Sequence, residues 1–342
     1  MSLDEFLEEW NNPSPYIHVQ TSGSTGVPKQ MLVEKQRMLA SARITCDFLG
    51  LQPGDTALLC MSLDYIAGKM MVVRSIERGL KLITIAPSGH PLANINYQLS
   101  IINYPLGRRT LATNGTQELS FSAMVPMQVY NSLQVPEEKE RLMQIKHLII
   151  GGGAIDEEME AELRHFPHAV WSTYGMTETL SHIALRRLNG PEASHWYTPF
   201  PSVQISQDAD GCLIVNAPEV CPELLVTNDI VEIDSGRFRI LGRKDNVICS
   251  GGIKIQIEEV ERQLKPHLTD PYLLTKRKDS KFGEVAVLLT EGSIEDAKQV
   301  CERVLPKYYQ PKDYLHVSQI PLTETGKPAR HQAQLLVLSF NS

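Results

Sequence analysis

A chain of 342 residues, 42% hydrophobic and 21% charged, has the composition of a globular protein and the length for two cores. Its formal net charge of −7 offers no basic field to nucleic acid, so polyanionic ligands would have to be held by local loops. The six cysteines, at 46, 60, 212, 221, 249 and 301, form no C-x-x-C pair, which argues against a disulfide framework or a zinc site and fits scattered thiols in a reducing, cytoplasmic setting.

The start, Met1-Ser2-Leu3-Asp4-Glu5, is acidic and lacks the apolar segment of a signal peptide. No stretch approaches ~18 uninterrupted apolar residues, so no membrane span is expected. Residues 3–10 predict a short amphipathic helix ended by Asn11-Asn12-Pro13. Residues 16–20 and 31–33 predict short strands joined by Thr21-Ser22-Gly23-Ser24-Thr25-Gly26-Val27-Pro28-Lys29. Gly23 and Gly26 let the backbone approach a ligand closely. Successive N–H groups there can form an anion-binding concavity, and Lys29 adds a point charge suited to phosphate. A flexible Gly/Ser surface loop is the plainer alternative. The run is not the G-x-x-x-x-G-K-[ST] phosphate loop, because Gln30 follows Lys29.

A helix over 34–49 follows, stopped by Gly50. Then strand 57–62, helix 65–77 and strand 80–86 form a strand-helix-strand unit. The pattern recurs at strand 121–125 with a helix after Pro126, and at strand 146–150, a helix from Asp156 and strand 169–173. Strands alternating with helices predict an α/β fold with a mainly parallel sheet. After about residue 181 the texture turns to short β pieces: 203–206, 213–215, 224–227, 230–233 and 238–241. Beyond lie a helix at 257–264, strands at 272–275 and 285–289, and a helix at 294–305, a module of about minimum domain size. The expected division is a large domain, 1–241, with a small β-rich subdomain, and a small α+β domain, 242–342.

Five further clusters carry chemistry. Ser172-Thr173-Tyr174-Gly175-Met176-Thr177-Glu178-Thr179 follows an apolar strand, where ligands of open α/β sheets bind. An exposed tyrosine there can stack on a purine, and a hydroxyl with a carboxylate can hold phosphate and Mg²⁺. Gly151-Gly152-Gly153-Ala154 follows another strand and could pass under a flat ring or be a plain turn. Thr227-Asn228-Asp229 reads as a polar turn. Gly242-Arg243-Lys244-Asp245, Ser250-Gly251-Gly252 and Glu258-Glu259-Val260-Glu261 read, piece by piece, as a charged linker and a glycine turn. Pro321-Leu322-Thr323-Glu324-Thr325-Gly326-Lys327-Pro328-Ala329-Arg330 ends the series.

In this order the clusters resemble the motifs of the acyl-adenylate-forming superfamily, which includes acyl- and aryl-CoA ligases, peptide-synthetase adenylation domains and luciferases. Residues 21–29 match its T-S-G-[ST]-T-G-x-P-K, residues 174–178 its Y-G-x-T-E, and residues 321–330 its P-x-T-x-x-G-K-x-x-R. The resemblance implies a mixed-sheet adenylation domain with a mobile C-terminal domain, and ATP, Mg²⁺ and coenzyme A as reactants. It implies phosphate binding by Thr21, Ser22, Gly23, Ser24, Thr25, Gly26 and Lys29, and adenine contacts from Gly152, Gly153, Ala154, Tyr174 and Gly175. Thr177 would lie near the α-phosphate, Glu178 on Mg²⁺, Asp229 on the ribose and Arg243 on ribose or phosphate. Asp245 would be the hinge, the Gly251-Gly252 strand would line the pantetheine tunnel, and Lys327 would be the catalytic lysine. Where the superfamily has T-G-D this chain has Asn228, a residue that tolerates the left-handed turn nearly as well as glycine. Members usually carry a long segment before the glycine loop. Only twenty residues precede it here, which implies a reduced wall on the acyl pocket.

The helix over 64–79 is similar to the one lining the acyl pocket in the o-succinylbenzoate–CoA ligases of menaquinone synthesis, with Arg74 five residues before Gly79. Residues 123–128 resemble that family's L-V-P-T-Q, while Ala67 and Lys69 depart from its usual Ser and Gln. Arg74 could bind a second substrate carboxylate, or it could snorkel from the helix edge to solvent. The implied partner is a small carboxylic acid, most like o-succinylbenzoate. A ligase for another aryl or short acyl acid, a carrier-loading module and a non-catalytic nucleotide-binding protein are the alternatives. The oligomeric state, a homo-oligomer included, stays open.

Overall fold

The computed structural model describes residues 1–20, 30–93, 98–103, 108–112, 118–323 and 327–340. Helix α1 (Leu3–Asn11) starts at a capping box, in which the Ser2 side chain accepts from Glu5 N–H and Glu5 accepts from Ser2 N–H. It buries Leu3, Phe6, Leu7 and Trp10. Strands β1 (Tyr16–Gln20) and β2 (Gln30–Glu34) pair antiparallel, with Gln20 opposite Gln30, so the expected hairpin connection is present. Residues 21–29 themselves lie outside the described residues. Helix α2 (Lys35–Leu49) ends at Gly50, whose φ of +67° gives the left-handed cap that glycine adopts without strain.

Next come β3 (Thr56–Leu59), α3 (Ile66–Arg78), β4 (Lys81–Thr84), β5 (Gln98–Asn103), β6 (Arg108–Ala112), β7 (Phe121–Met124), α4 (Pro126–Leu133), α5 (Pro136–Met143), β8 (His147–Ile150), α6 (Glu157–Leu163), β9 (Ala169–Gly175), β10 (His182–Arg187) and β11 (Thr198–Pro199). They build one nine-stranded sheet in the order β11-β10-β9-β8-β7-β3-β4-β5-β6. The middle five strands are parallel, and antiparallel wings close both sides. All four residues of β3 and of β7 are buried, the continuous apolar run expected of strands covered on both faces. One core packs α1, α2 and α3 on one side of the sheet, and a second packs α4, α5 and α6 on the other. The wing strands β5, β6 and β10 were not expected. The change of texture near residue 181 therefore marks the antiparallel edge of the main sheet, and the separate β subdomain starts later.

That subdomain is an antiparallel sheet of β12 (Gln204–Gln207), β13 (Cys212–Ala217), β14 (Cys221–Asp234) and β15 (Arg237–Arg243). The two strands expected at 224–227 and 230–233 are one continuous strand. The turn expected at Thr227-Asn228-Asp229 is absent, and Asn228 has no positive φ. The stretch sits where the register with β13 shifts, between Ile230 opposite Cys212 and Val226 opposite Ile214, and pairing with β15 begins at Asp229, so the polar triplet is taken up as an irregularity within the strand rather than a turn.

A 3₁₀ turn, Lys244–Asn246, leads to the last module. It comprises β16 (Val247–Ser250), β17 (Ile253–Gln256), α7 (Ile257–Leu264), β18 (Tyr272–Asp279), β19 (Gly283–Thr290), α8 (Ile294–Val304), β20 (Asp313–His316) and α9 (Arg330–Phe340). Its five strands carry two cores of their own. Because β15 runs through Arg243, the boundary expected at 241/242 falls inside that strand, and the break between sheets lies at the 3₁₀ turn. No helix among the described residues is long and apolar enough to cross a membrane.

Candidate active site

Strands β7, β8 and β9 are parallel neighbours, so the loops after their carboxyl ends lie side by side. After β8 comes Gly151-Gly152-Gly153-Ala154, with Gly152 at φ +83° and residues 152–154 exposed. A Cβ on Gly151 would come 2.3 Å from Thr173 Oγ1, so the close approach to β9 itself demands glycine. After β9 the chain turns sharply. Thr179 Oγ1 donates to Met176 O and Ser181 O and accepts from Met176 N–H, and buried Leu180 sits at φ +64°. A left-handed leucine is a strained conformation that its surroundings must impose. A Cβ on Gly175 would lie 2.2 Å from Ser181 O, so this glycine makes the turn possible. The turn leaves Glu178 exposed and Thr177 partly exposed at the sheet's carboxyl edge.

Tyr174 departs from expectation. The alternation Val170, Ser172, Tyr174 points its ring inward, and it is 6% exposed. The ring meets Phe238 edge-on at 5.0 Å, and its hydroxyl donates to Asp229 Oδ2 at 2.6 Å. Burial, then the charge of Asp229, pushes the phenol pKa far up, so it remains a donor. An exposed ring ready to stack is therefore not what the structure has. The period-2 pattern of β9 was the signal in the sequence.

Asp229 and Arg243 face each other across β14 and β15. Arg243 donates to Asp229 Oδ1 at 2.8 Å and to Asp245 Oδ2 at 2.8 Å. Asn228 Nδ2 donates to both oxygens of Asp245, at 3.0 and 3.2 Å. Lys327 comes to the same place from the last module. Its N–H donates to Thr323 Oγ1 at 3.1 Å and its carbonyl accepts from Thr323 N–H at 2.7 Å. Burial, then nearby Arg243, holds the ammonium below the ordinary lysine pKa. Arg330, opening α9, binds both oxygens of Glu261 on α7, at 3.1 and 2.7 Å. Gly251 and Gly252, at φ +57° and +86°, are the two-residue turn of the β16–β17 hairpin rather than a strand.

Arg74 does not snorkel. It is 2% exposed on the inner side of α3, and it donates to Ser181 Oγ at 2.7 Å. Its guanidinium lies 6.0 Å from the Phe121 ring centroid, and its Nε has no hydrogen-bond partner. Desolvation pushes its pKa down to about 10. Beside it His182, bonded to Thr45 Oγ1 at 3.0 Å and close to Ser181 Oγ at 3.2 Å, is held well below the ordinary pKa by burial and then by Arg74. Ser181, His182 and Thr45 carried no motif, and only the fold brings them to Arg74.

A family model described as AMP-binding enzyme matches residues 7–215. The chain belongs to this family. Among its relatives, a 2-succinylbenzoate–CoA ligase of Bacillus cereus is 24% identical, over 96% of this chain and 72% of the relative. That of Salmonella typhimurium is 26% identical, over 86% of this chain and 63% of the relative. The acyl-CoA synthetase (AMP-forming)/AMP-acid ligase II-like protein from Dyadobacter fermentans superposes with a TM-score of 0.62 at 30% identity, covering 98% of this chain and 93% of that one. The o-succinylbenzoate CoA synthetase from Bacillus subtilis, solved with ATP and magnesium ion, gives 0.69 at 22% identity, over 92% of this chain and 69% of that one. The architecture of this AMP-binding enzyme is thus the adenylate-forming fold, on a chain that spans 63–72% of the two ligases' length.

Proposed function

We propose that the protein is an AMP-forming acid–CoA ligase whose acid carries a second carboxylate, with o-succinylbenzoate the acid favoured by its relatives. The observation that carries the reading is Arg74: a buried guanidinium with an unsatisfied Nε, whose hydrogen bonds among the described residues go to the Ser181 hydroxyl and the Met71 sulfur and to no carboxylate. An unpaired buried cation is costly. A substrate carboxylate is the group that would offset that cost, with Ser181 orienting the fork.

The reaction runs in two steps. The acid's other carboxylate attacks the α-phosphorus of ATP; the phosphoanhydride bond breaks, and pyrophosphate leaves with its electron pair. Lys327, brought beside Arg243, places positive charge where the transferred phosphate gains negative charge. The sulfur of coenzyme A then attacks the acyl carbon, loses its proton, and AMP departs. Gly152, Gly153 and Ala154 offer side-chain-poor backbone for the adenine, with Gly175 at the next strand end. Asp229 and Arg243 meet the ribose, the tyrosine bracing Asp229 rather than stacking. Residues 21–29 would cradle the phosphates. Glu178, exposed beside Thr177, suits Mg²⁺, which takes one or two carboxylates plus substrate phosphates, and the ion would neutralise phosphate charge. Asp245 is the hinge at the 3₁₀ turn, and the Gly251-Gly252 turn is where a pantetheine arm would pass. The domains divide there, and the last module would turn between the steps.

The test is pyrophosphate release with ATP, Mg²⁺ and o-succinylbenzoate, against benzoate, phenylacetate and acetate, for the parent, Arg74→Ala and Arg74→Lys. Turnover confined to the dicarboxylate, with kcat/KM cut by ~10² or more in Arg74→Ala, is the expected result. Turnover of a monocarboxylate, unaffected by Arg74→Ala, would discard the dicarboxylate and keep the ligase.

A further inference from the structure

We propose that Asn228 is a positioning residue that latches the C-terminal module in the orientation seen here, the one that places Lys327 beside Arg243. The inference rests on the ligase reading for its two half-reactions, but not for its conformational claim. The motif's usual residue here is glycine. In this chain the position lies inside continuous β14 with no positive φ, so neither glycine nor a residue tolerant of the left-handed region is needed by the backbone. Asparagine's distinguishing feature here is its side chain. That amide reaches across to Asp245, the middle residue of the 3₁₀ turn joining the four-stranded sheet to the last module, and donates to both carboxylate oxygens at 3.0 and 3.2 Å.

Asp245 is thereby gripped from two strands: by Asn228 on β14 and by Arg243 at the end of β15. Arg243 also holds Asp229, so one bonded chain runs Tyr174–Asp229–Arg243–Asp245–Asn228. Rotating the module about the 3₁₀ turn requires Asp245 to change its backbone angles, and its carboxylate cannot then keep both partners. The Asn228 bond is therefore made in this orientation and lost in a rotated one, which is the differential contact that a population shift requires. Tyr174, Asp229 and Arg243 belong to the proposed nucleotide site, whereas the Asn228 side chain's hydrogen bonds among the described residues go to the joint. Its removal should change the orientation preference and leave the binding groups in place.

The experiment compares the parent with Asn228→Gly and Asn228→Asp in three measurements. The first is acid-dependent exchange of pyrophosphate into ATP, which reads the adenylating orientation. The second is thioester formation from chemically prepared acyl-adenylate and coenzyme A. The third is the rate of tryptic cleavage after Arg243 or Lys244, identified by fragment mass, on the protein without ligands. In Asn228→Gly, exchange should fall about three- to tenfold, the size of one lost hydrogen bond, while thioester formation holds or rises. Cleavage at the joint should quicken by a similar factor, and Tm should stay within about 2 °C, as for an exposed substitution. Asn228→Asp, which sets a third carboxylate beside Asp229 and Asp245, should go further in the same direction. Equal losses in both half-reactions, or cleavage as slow as in the parent, would overturn the latch. If no acid supports exchange in the parent, the ligase reading fails, and the cleavage rates alone still decide the latch.

Discussion

Buried cations decide the energetics at the scale of single residues. Arg74 has no carboxylate partner among the described residues and an unsatisfied Nε, so in the free protein its burial is a cost, which the proposed substrate carboxylate would offset. Replacing it by methionine should leave Tm unchanged or raise it, because a hydrophobic group of similar reach removes the desolvation cost. A calorimetric scan showing Tm lowered by several degrees would mean that Arg74 supports the fold instead. Lys327 makes a parallel case. Burial, then Arg243, holds its pKa below the ordinary lysine value. The folded chain therefore binds fewer protons than the unfolded chain just below that value. Stability contributed there rises with pH, and the lysine is a burden at neutral pH. Lys327→Gln should cut pyrophosphate exchange by ~10² or more, as for a lost transition-state charge, without lowering Tm at pH 8. A matching loss of Tm would reduce its role to structure.

Individual elements are aimed by close approaches that a motif cannot display. Helix α3 carries both Arg74 and Gly68, and a Cβ on Gly68 would sit 2.2 Å from Ser62 O. Gly68→Ala should push the start of α3 away from residue 62, lowering Tm by several degrees and weakening acid binding together. Unchanged Tm and KM would show that the loop before α3 yields freely. The same distinction governs what the sequence disclosed. The parallel strands were legible because burial on both faces writes an uninterrupted apolar run. The wing strands β5, β6 and β10 were not, because polar residues interrupt any such run: Ser100 in β5, Arg108-Arg109-Thr110 in β6, and His182 and Arg186-Arg187 in β10, although β10 is itself buried. Glycines 151 and 175 were legible as motif positions, but the reasons for them, Thr173 on the neighbouring strand and the return of the chain at Ser181, show only in the fold. Tyr174 was placed on the right strand but on the wrong side of it. Asn228 was read as a turn former, but it lies in a register irregularity of a continuous strand, a feature set by the partner strands and not by the local sequence.

Across the whole molecule, charge sets part of the preference for how the last module sits against the large domain. Lys265, just past α7, lies 3.2 Å from Asp156, the residue that caps α6 by accepting from Met159 N–H. This pair lies far along the chain from Asp245, so it is made in the present orientation independently of the joint. It is half exposed, and such pairs contribute no more than about 1 kcal/mol, which is still enough to shift a balanced two-state equilibrium several-fold. Lys265→Glu keeps the α6 cap but turns attraction into repulsion. Pyrophosphate exchange should then fall about three- to fivefold at low ionic strength, and the deficit should fade toward 0.5 M salt, roughly, as screening shortens the reach of exposed charges. Thioester formation from supplied acyl-adenylate should not fall with it, because in the proposed mechanism the module turns before that step. A deficit that persists unchanged at high salt would place the cause in the folding of α7 rather than in the contact between the two bodies. In that case the orientation would rest on the Asp245 joint and on the packing of α7 against β15.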